Sequence, residues 1–184
     1  MQSLGVSEMV IEIKEKGTKS FYKEIVNVIT QYRRLMKKPE AKLKNNYKAL
    51  LYTAIAICAL IVAHLWFGVS GGFDALTIAV LVLLAVVLFI EVMVLVYMNN
   101  LVRGYLRDDR TAVVTLDEKG VEMDKEGAQI VRLSWDNVAF VRAFEESTCF
   151  FAKDTAGLVL CVTNKYRQEI MDYLKENQPG VEVV

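Results

Sequence analysis

The sequence predicts an α+β membrane protein: a two-helix transmembrane hairpin joined to a small antiparallel β-domain that a C-terminal helix closes. Three observations carry this reading. First, residues 49–67 and 75–98 are apolar runs of 19 and 24 residues; the first holds no Lys, Arg, Asp or Glu, and the second holds one charge, Glu91. As helices they reach roughly 28 and 36 Å, enough to cross a hydrocarbon core of about 30 Å. Second, the seven residues between them, Gly68 to Asp74, include three glycines and allow a tight reversal. Third, after Arg110 the chain changes to short apolar runs separated by turn signals.

The chain divides into residues 1–17, 18–47, 48–98 and 99–184. In the first part Met9, Ile11 and Ile13 alternate with Val10, Glu12 and Lys14, the pattern of a half-buried strand. Gly17-Thr18 breaks it. In the second part Phe21, Ile25, Val28, Tyr32 and Leu35 or Met36 recur every three or four residues, opposite Lys23, Asn27, Arg33, Arg34 and Lys37. This predicts one amphipathic basic helix from Ser20 to near Pro39, with Ala41 to Lys48 running on into the first span. Tyr47, Tyr52, Tyr97 and Tyr105 mark one membrane boundary, and Trp66, Phe67 and Phe73 the other.

The last part predicts six strands: Ala112–Leu116, Val121–Asp124, Gln129–Leu133, Val138–Phe144, Thr148–Ala152 and Leu158–Val162. Asp117 to Gly120, Lys125 to Gly127 and Lys153 to Gly157 supply turns. Asn164 is placed to cap a final helix, about Lys165 to Asn177, with Tyr166, Ile170, Tyr173 and Leu174 as its apolar stripe and Pro179-Gly180 as its stop.

Charge fixes an orientation. The chain is neutral overall, yet residues 1–47 carry +5 and residues 99–184 carry −4. Arg33, Arg34, Lys37, Lys38, Lys42, Lys44 and Lys48 precede the first span, Arg103, Arg107 and Arg110 follow the second, and the connecting loop has no Lys or Arg. By the positive-inside rule both termini are cytoplasmic in a two-pass topology. The first 20 residues hold Glu8, Glu12, Glu15 and no apolar core, so they do not read as a secretory signal. Cys149 and Cys161 are then cytoplasmic thiols, and Cys58 lies mid-span.

Several features together resemble the YcxB-like family of bacterial membrane proteins. They are the short N-terminal segment, the hairpin, the β-rich C-terminal part, the stretch Leu133-Ser134-Trp135-Asp136-Asn137-Val138, and the strands Thr148-Cys149-Phe150-Phe151 and Leu158-Val159-Leu160-Cys161-Val162. The junction Val162-Thr163-Asn164 departs from that family's frequent Ile-Pro-Lys. The resemblance covers roughly residues 47–177 and implies a pleckstrin-homology-like (PH-like) domain, a bent antiparallel sheet or barrel with a C-terminal capping helix. Such folds use seven strands. Residues 9–13 would supply the seventh, so the N-terminal strand is expected to join the C-terminal sheet across the hairpin.

Glu91 is the unusual residue of the spans, because a central acid costs about 2.5–3.5 kcal/mol on insertion scales. In an antiparallel hairpin its depth matches Tyr52 and Thr53, and either hydroxyl is placed to bond it. The simplest reading is a polar staple between the helices; a proton relay and an oligomer contact are the alternatives. His64 and Asp74 are either an ion pair at the outer boundary or separately solvated. The seven basic residues from Arg33 to Lys48 fix topology and are candidate contacts to anionic lipid at the cytoplasmic face. Cys149 and Cys161 fall opposite one another if their hairpin turns symmetrically about residues 154–156, as buried thiols or as a redox pair. Trp135 reads as a packing residue.

A phosphoinositide-type site needs basic residues in the first turn, and Asp117-Glu118-Lys119 argues against one there. There is no GxSxG, GxxxxGK[ST], HExxH or CxxC, and one histidine offers no metal spacing, so neither enzyme nor cofactor is expected. The acidic tail argues against nucleic acid. The chain thus reads as a bacterial inner-membrane protein with a cytoplasmic PH-like module and a non-enzymatic interaction or regulatory role, through a protein partner or a second copy. The alternative is an oligomeric transport or channel subunit with Glu91 in the helix bundle.

Overall fold

A computed structural model describes residues 9–13, 17–66, 75–108, 110–127, 130–155 and 157–184. Two units result: Met1–Leu43 with Val102–Val184, and Lys44–Leu101. The architecture is mixed α+β, with two long apolar helices, two small antiparallel sheets and a C-terminal helix.

In the first unit β1 (Met9–Ile13), β2 (Ala112–Asp117), β3 (Gly120–Lys125) and β4 (Val131–Ser134) form a four-stranded antiparallel sheet in that order. The strand read before the hairpin therefore pairs with the first strand after it, from Met9↔Leu116 to Ile13↔Ala112. Alternation explains the faces: Met9 packs on the core, and Val10 is 59% exposed. β5 (Val138–Ala143), β6 (Ser147–Ala152) and β7 (Val159–Thr163) form a second, three-stranded sheet. The seven strands thus lie in two sheets, where the sequence reading placed them in one bent sheet or barrel. α5 (Arg167–Asn177) sends Ile170, Tyr173 and Leu174 into a core that also holds Val114, Leu133 and Phe150.

β6 is buried along its whole length: Cys149 to Ala152 are apolar, and the hydroxyls of Ser147 and Thr148 donate to Glu24 and Asn164. Phe150 enters the first core, and Phe151 enters a second one on the other side of the sheet. There α1 (Lys19–Thr30) and α2 (Tyr32–Lys37) bring Val28, Tyr32 and Leu35 against Phe140, Cys149 and Phe151. Thr18 caps α1, its hydroxyl accepting from the Phe21 amide at 3.1 Å. Glu24 ties α1 to the sheet: its carboxylate accepts from the Glu145 and Glu146 amides, each at 3.1 Å, and from the Ser147 hydroxyl at 2.6 Å.

The single helix expected over residues 20–39 breaks at Gln31. The Thr30 hydroxyl donates to the Asn27 carbonyl at 3.1 Å, competing with the helical ladder where α1 ends. Nor do residues 41–48 run unbroken into the first span; the helix starts only at Asn46. The Arg142 guanidinium takes the Pro39 and Ala41 carbonyls, so these acceptors are committed to the sheet rather than to a helix. Asn164 does not cap the last helix either. Its amide donates to the Phe144 and Glu145 carbonyls at 2.7 and 2.9 Å, and its oxygen accepts from Thr148 at 2.9 Å, which pins the β5–β6 turn.

α3 (Asn46–Trp66) and α4 (Ala75–Arg107) are long and apolar enough to cross a membrane, with mean hydropathies of 2.1 and 3.2 over their most apolar 18 residues. Half-buried positions recur every three or four residues: Thr53, Ile57, Leu60 and His64 on α3, and Leu84, Leu88, Glu91 and Leu95 on α4. This is the spacing of a helix–helix seam. Asp74, which would pair with His64 in one of the two readings above, lies outside the described residues.

Candidate functional site

The basic run before the first span is built into a cleft. Tyr32 anchors it: its hydroxyl donates to the Ala152 carbonyl at 2.5 Å, and its ring lies 6.2 Å from that of Phe151. Burial pushes the Tyr32 hydroxyl above its ordinary pKa, which keeps it a neutral donor. With Tyr32 and Leu35 turned inward, helical geometry leaves Arg33, Lys37 and Lys38 exposed and Arg34 half-buried. Arg34 donates to the Gln31 side chain at 3.0 Å. The facing wall is the β6–β7 turn. There Lys153 donates to the Asp136 carbonyl at 3.0 Å, and Gly157 closes the turn at a φ of +86° that a β-carbon would oppose. The cleft measures about 770 Å³.

Four of the seven predicted basic residues, Arg33, Arg34, Lys37 and Lys38, therefore share one concavity. Lys42 is exposed in the connection that follows, and Lys44 and Lys48 belong to the second unit. Sequence reasoning missed Lys153, which faces α2 only because β6 returns 120 residues later to bond Tyr32. It missed Arg142 as well. This side chain stacks over the Phe144 ring at 4.6 Å and holds the turn just after Lys38. Burial pulls its guanidinium below the ordinary arginine range, and Glu40 opposes that shift.

The candidate polar residues of the two long helices separate. The Thr53 hydroxyl lies 3.2 Å from Glu91 Oε1 and equally close to the Ala49 carbonyl. Tyr52 is 67% exposed and does not join them, since one residue along a helix is a rotation of about 100°. Glu91 Oε2 is buried with no hydrogen-bond partner among the described residues.

Cys149 and Cys161 are direct cross-strand partners with sulfurs 2.6 Å apart, both buried as free cysteines. Burial, and then its Cys149 neighbour, push the Cys161 thiol well up, which disfavours the reactive thiolate. Trp135 is a core residue: its indole donates to the Asp117 carbonyl at 2.8 Å between Phe150 and Tyr173. The first turn stays acidic. Burial would raise Asp117, but Arg132 and the Lys119 and Gly120 amides outweigh it and hold the carboxylate below its usual range. No group of three His, Cys, Asp or Glu side chains that could hold a metal occurs among the described residues. Comparison with protein-family models, curated proteins and solved structures yields no match.

Proposed function

We propose that this chain is a two-pass membrane protein, YcxB-like and of a bacterial inner membrane, whose hairpin anchors a PH-like interaction or regulatory module at the cytoplasmic face. The observation that carries the reading is the β1–β2 pairing. β1 precedes the hairpin and β2 follows it, yet they pair over five positions. Two strands bonded in one sheet lie on one side of any membrane that the intervening helices cross, and the flanking basic residues make that side cytoplasmic. Seven strands in sheets of four and three, closed by a C-terminal helix, suit a PH-like module. Residues 182–184 bond the outer edge of β5, which leaves β1, β4 and β7 as the outer strands for a protein partner. The role is non-enzymatic, and anionic lipid is the module's immediate surrounding.

One observation favours a second reading, an oligomeric transport or channel subunit: a buried carboxylate oxygen without a partner is costly, and a second copy or an ion would satisfy it. Proteoliposome flux separates the two. The interaction reading expects no proton or cation flux above protein-free vesicles, for wild type and Glu91→Gln alike. Flux in the wild type that Glu91→Gln abolishes would replace it with the transport reading.

A further inference from the structure

We propose that the cleft between α2 and the β6–β7 turn is a binding site for a phosphate-bearing anion, held by Arg33, Arg34, Lys37 and Lys38 on one wall and Lys153 on the other. Asp154 is the one acid in the lining, so the cleft carries five cations against one anion. None of the five forms an ion pair among the described residues, whereas Arg110, Lys125 and Arg132 of the same unit all do. Cations gathered around one concavity repel one another, and an anion seated among them relieves that cost.

The chemistry selects phosphate. Guanidinium forks pair with phosphate oxygens two at a time, and ammonium groups add point charge. A cleft of about 770 Å³ has the size of a small-molecule site rather than an extended track for nucleic acid. Its one nearby aromatic, Tyr32, is turned inward with its hydroxyl engaged, so no free ring face is offered to a base. Asp154 can accept from a hydroxyl beside the phosphate, as a polyol-bearing headgroup would present.

The walls are held before any ligand arrives. Tyr32 bonds α2 to the end of β6, Lys153 is braced on Asp136, and Arg142 fixes the turn after Lys38. Arg142 is therefore a positioning residue. Prepositioned cations lose less entropy on binding than mobile ones. The source of the phosphate rests on the membrane-anchored reading: Lys38 stands 11 residues before the first apolar run, so a lipid headgroup is the favoured source and a soluble phosphate the other.

The test uses the full chain, delipidated in an uncharged detergent, titrated with dioctanoyl phosphatidic acid, dioctanoyl phosphatidylcholine or pyrophosphate and read by thermophoresis. Arg34→Gln/Lys37→Gln/Lys153→Gln removes three cations from the cleft. Lys119→Gln/Arg167→Gln/Lys175→Gln removes the same charge elsewhere. Phosphatidic acid is expected to bind the wild type, at least about tenfold more weakly the cleft variant, and unchanged the control variant, with phosphatidylcholine inert. Pyrophosphate binding with the same variant pattern, and no phosphatidic acid binding, supports the site with a soluble ligand. Equal losses in both triple variants, no loss in a cleft variant that melts like the wild type, or no binding of either anion by the wild type overturns it. Those failures leave the membrane-anchored reading standing, since cross-linking of β1 to β2 tests that reading independently.

Discussion

Phe151→Ala is expected to destabilise the first unit by about 3–5 kcal/mol, the usual cost of emptying a buried aromatic position. Phe151 is fully buried at the centre of the second core, with the Phe140 ring centroid 4.4 Å away and those of Tyr32 and Phe144 at 6.2 and 6.4 Å. Its loss removes the surface on which α1 and α2 dock, and with it the wall that carries Arg33, Arg34 and Lys37. The first core, around Phe150, is on the other face of the sheet and is left intact. The variant should therefore keep its sheets while tryptic sites at Arg33, Arg34 and Lys37 open. Circular dichroism melts with timed proteolysis read both effects. A variant that melts like the wild type, with these sites still protected, would contradict the second core.

Gly120→Ala is expected to cost about 3 kcal/mol or more, the upper end of overpacking penalties. A β-carbon at this position would stand 2.2 Å from the Leu133 carbonyl oxygen and 2.8 Å from Ser134 Cα. Both are backbone atoms of β4, so no rotamer change relieves the clash, and the β3–β4 register or the Asp117 turn must give. Gly104 is the internal control, because a β-carbon there meets nothing within 4 Å and the residue lies inside α4. Gly104→Ala should leave the melt unchanged or raise it slightly. Equal melts for the two variants would show that β4 does not approach β3 this closely.

Much of the fold is legible in the sequence because local periods carry it. The alternation of residues 9–13, the apolar runs of the two long helices and the turn signals of the last part each announce an element without long-range information. What the sequence hides is set by contacts between distant residues. The late start of α3 follows from Arg142 reaching back about 100 residues to the turn after α2. Asn164 looks like a cap because caps are local, yet its partners are Phe144, Glu145 and Thr148. Thr53 and Tyr52 are equivalent by depth, and only the rotation of α3 about its axis chooses Thr53 for Glu91. The basic cleft is half-legible for the same reason: four cations are neighbours in sequence, and the fifth, Lys153, arrives through the topology of the second sheet.

The central claim, that the two flanks of the hairpin fold into one module on one side of the membrane, is tested most directly by cross-linking across β1 and β2. Val10 and Thr115 are cross-strand partners, Val10 exposed and Thr115 half-buried on the face away from the core. In a chain whose native cysteines are replaced by serine or alanine, Val10→Cys/Thr115→Cys should form a disulfide under mild oxidation in intact membranes. Digestion and mass spectrometry would then show the peptide bearing residue 10 linked to the peptide bearing residue 115. Absence of that linked pair, with both thiols open to alkylation, would contradict the account.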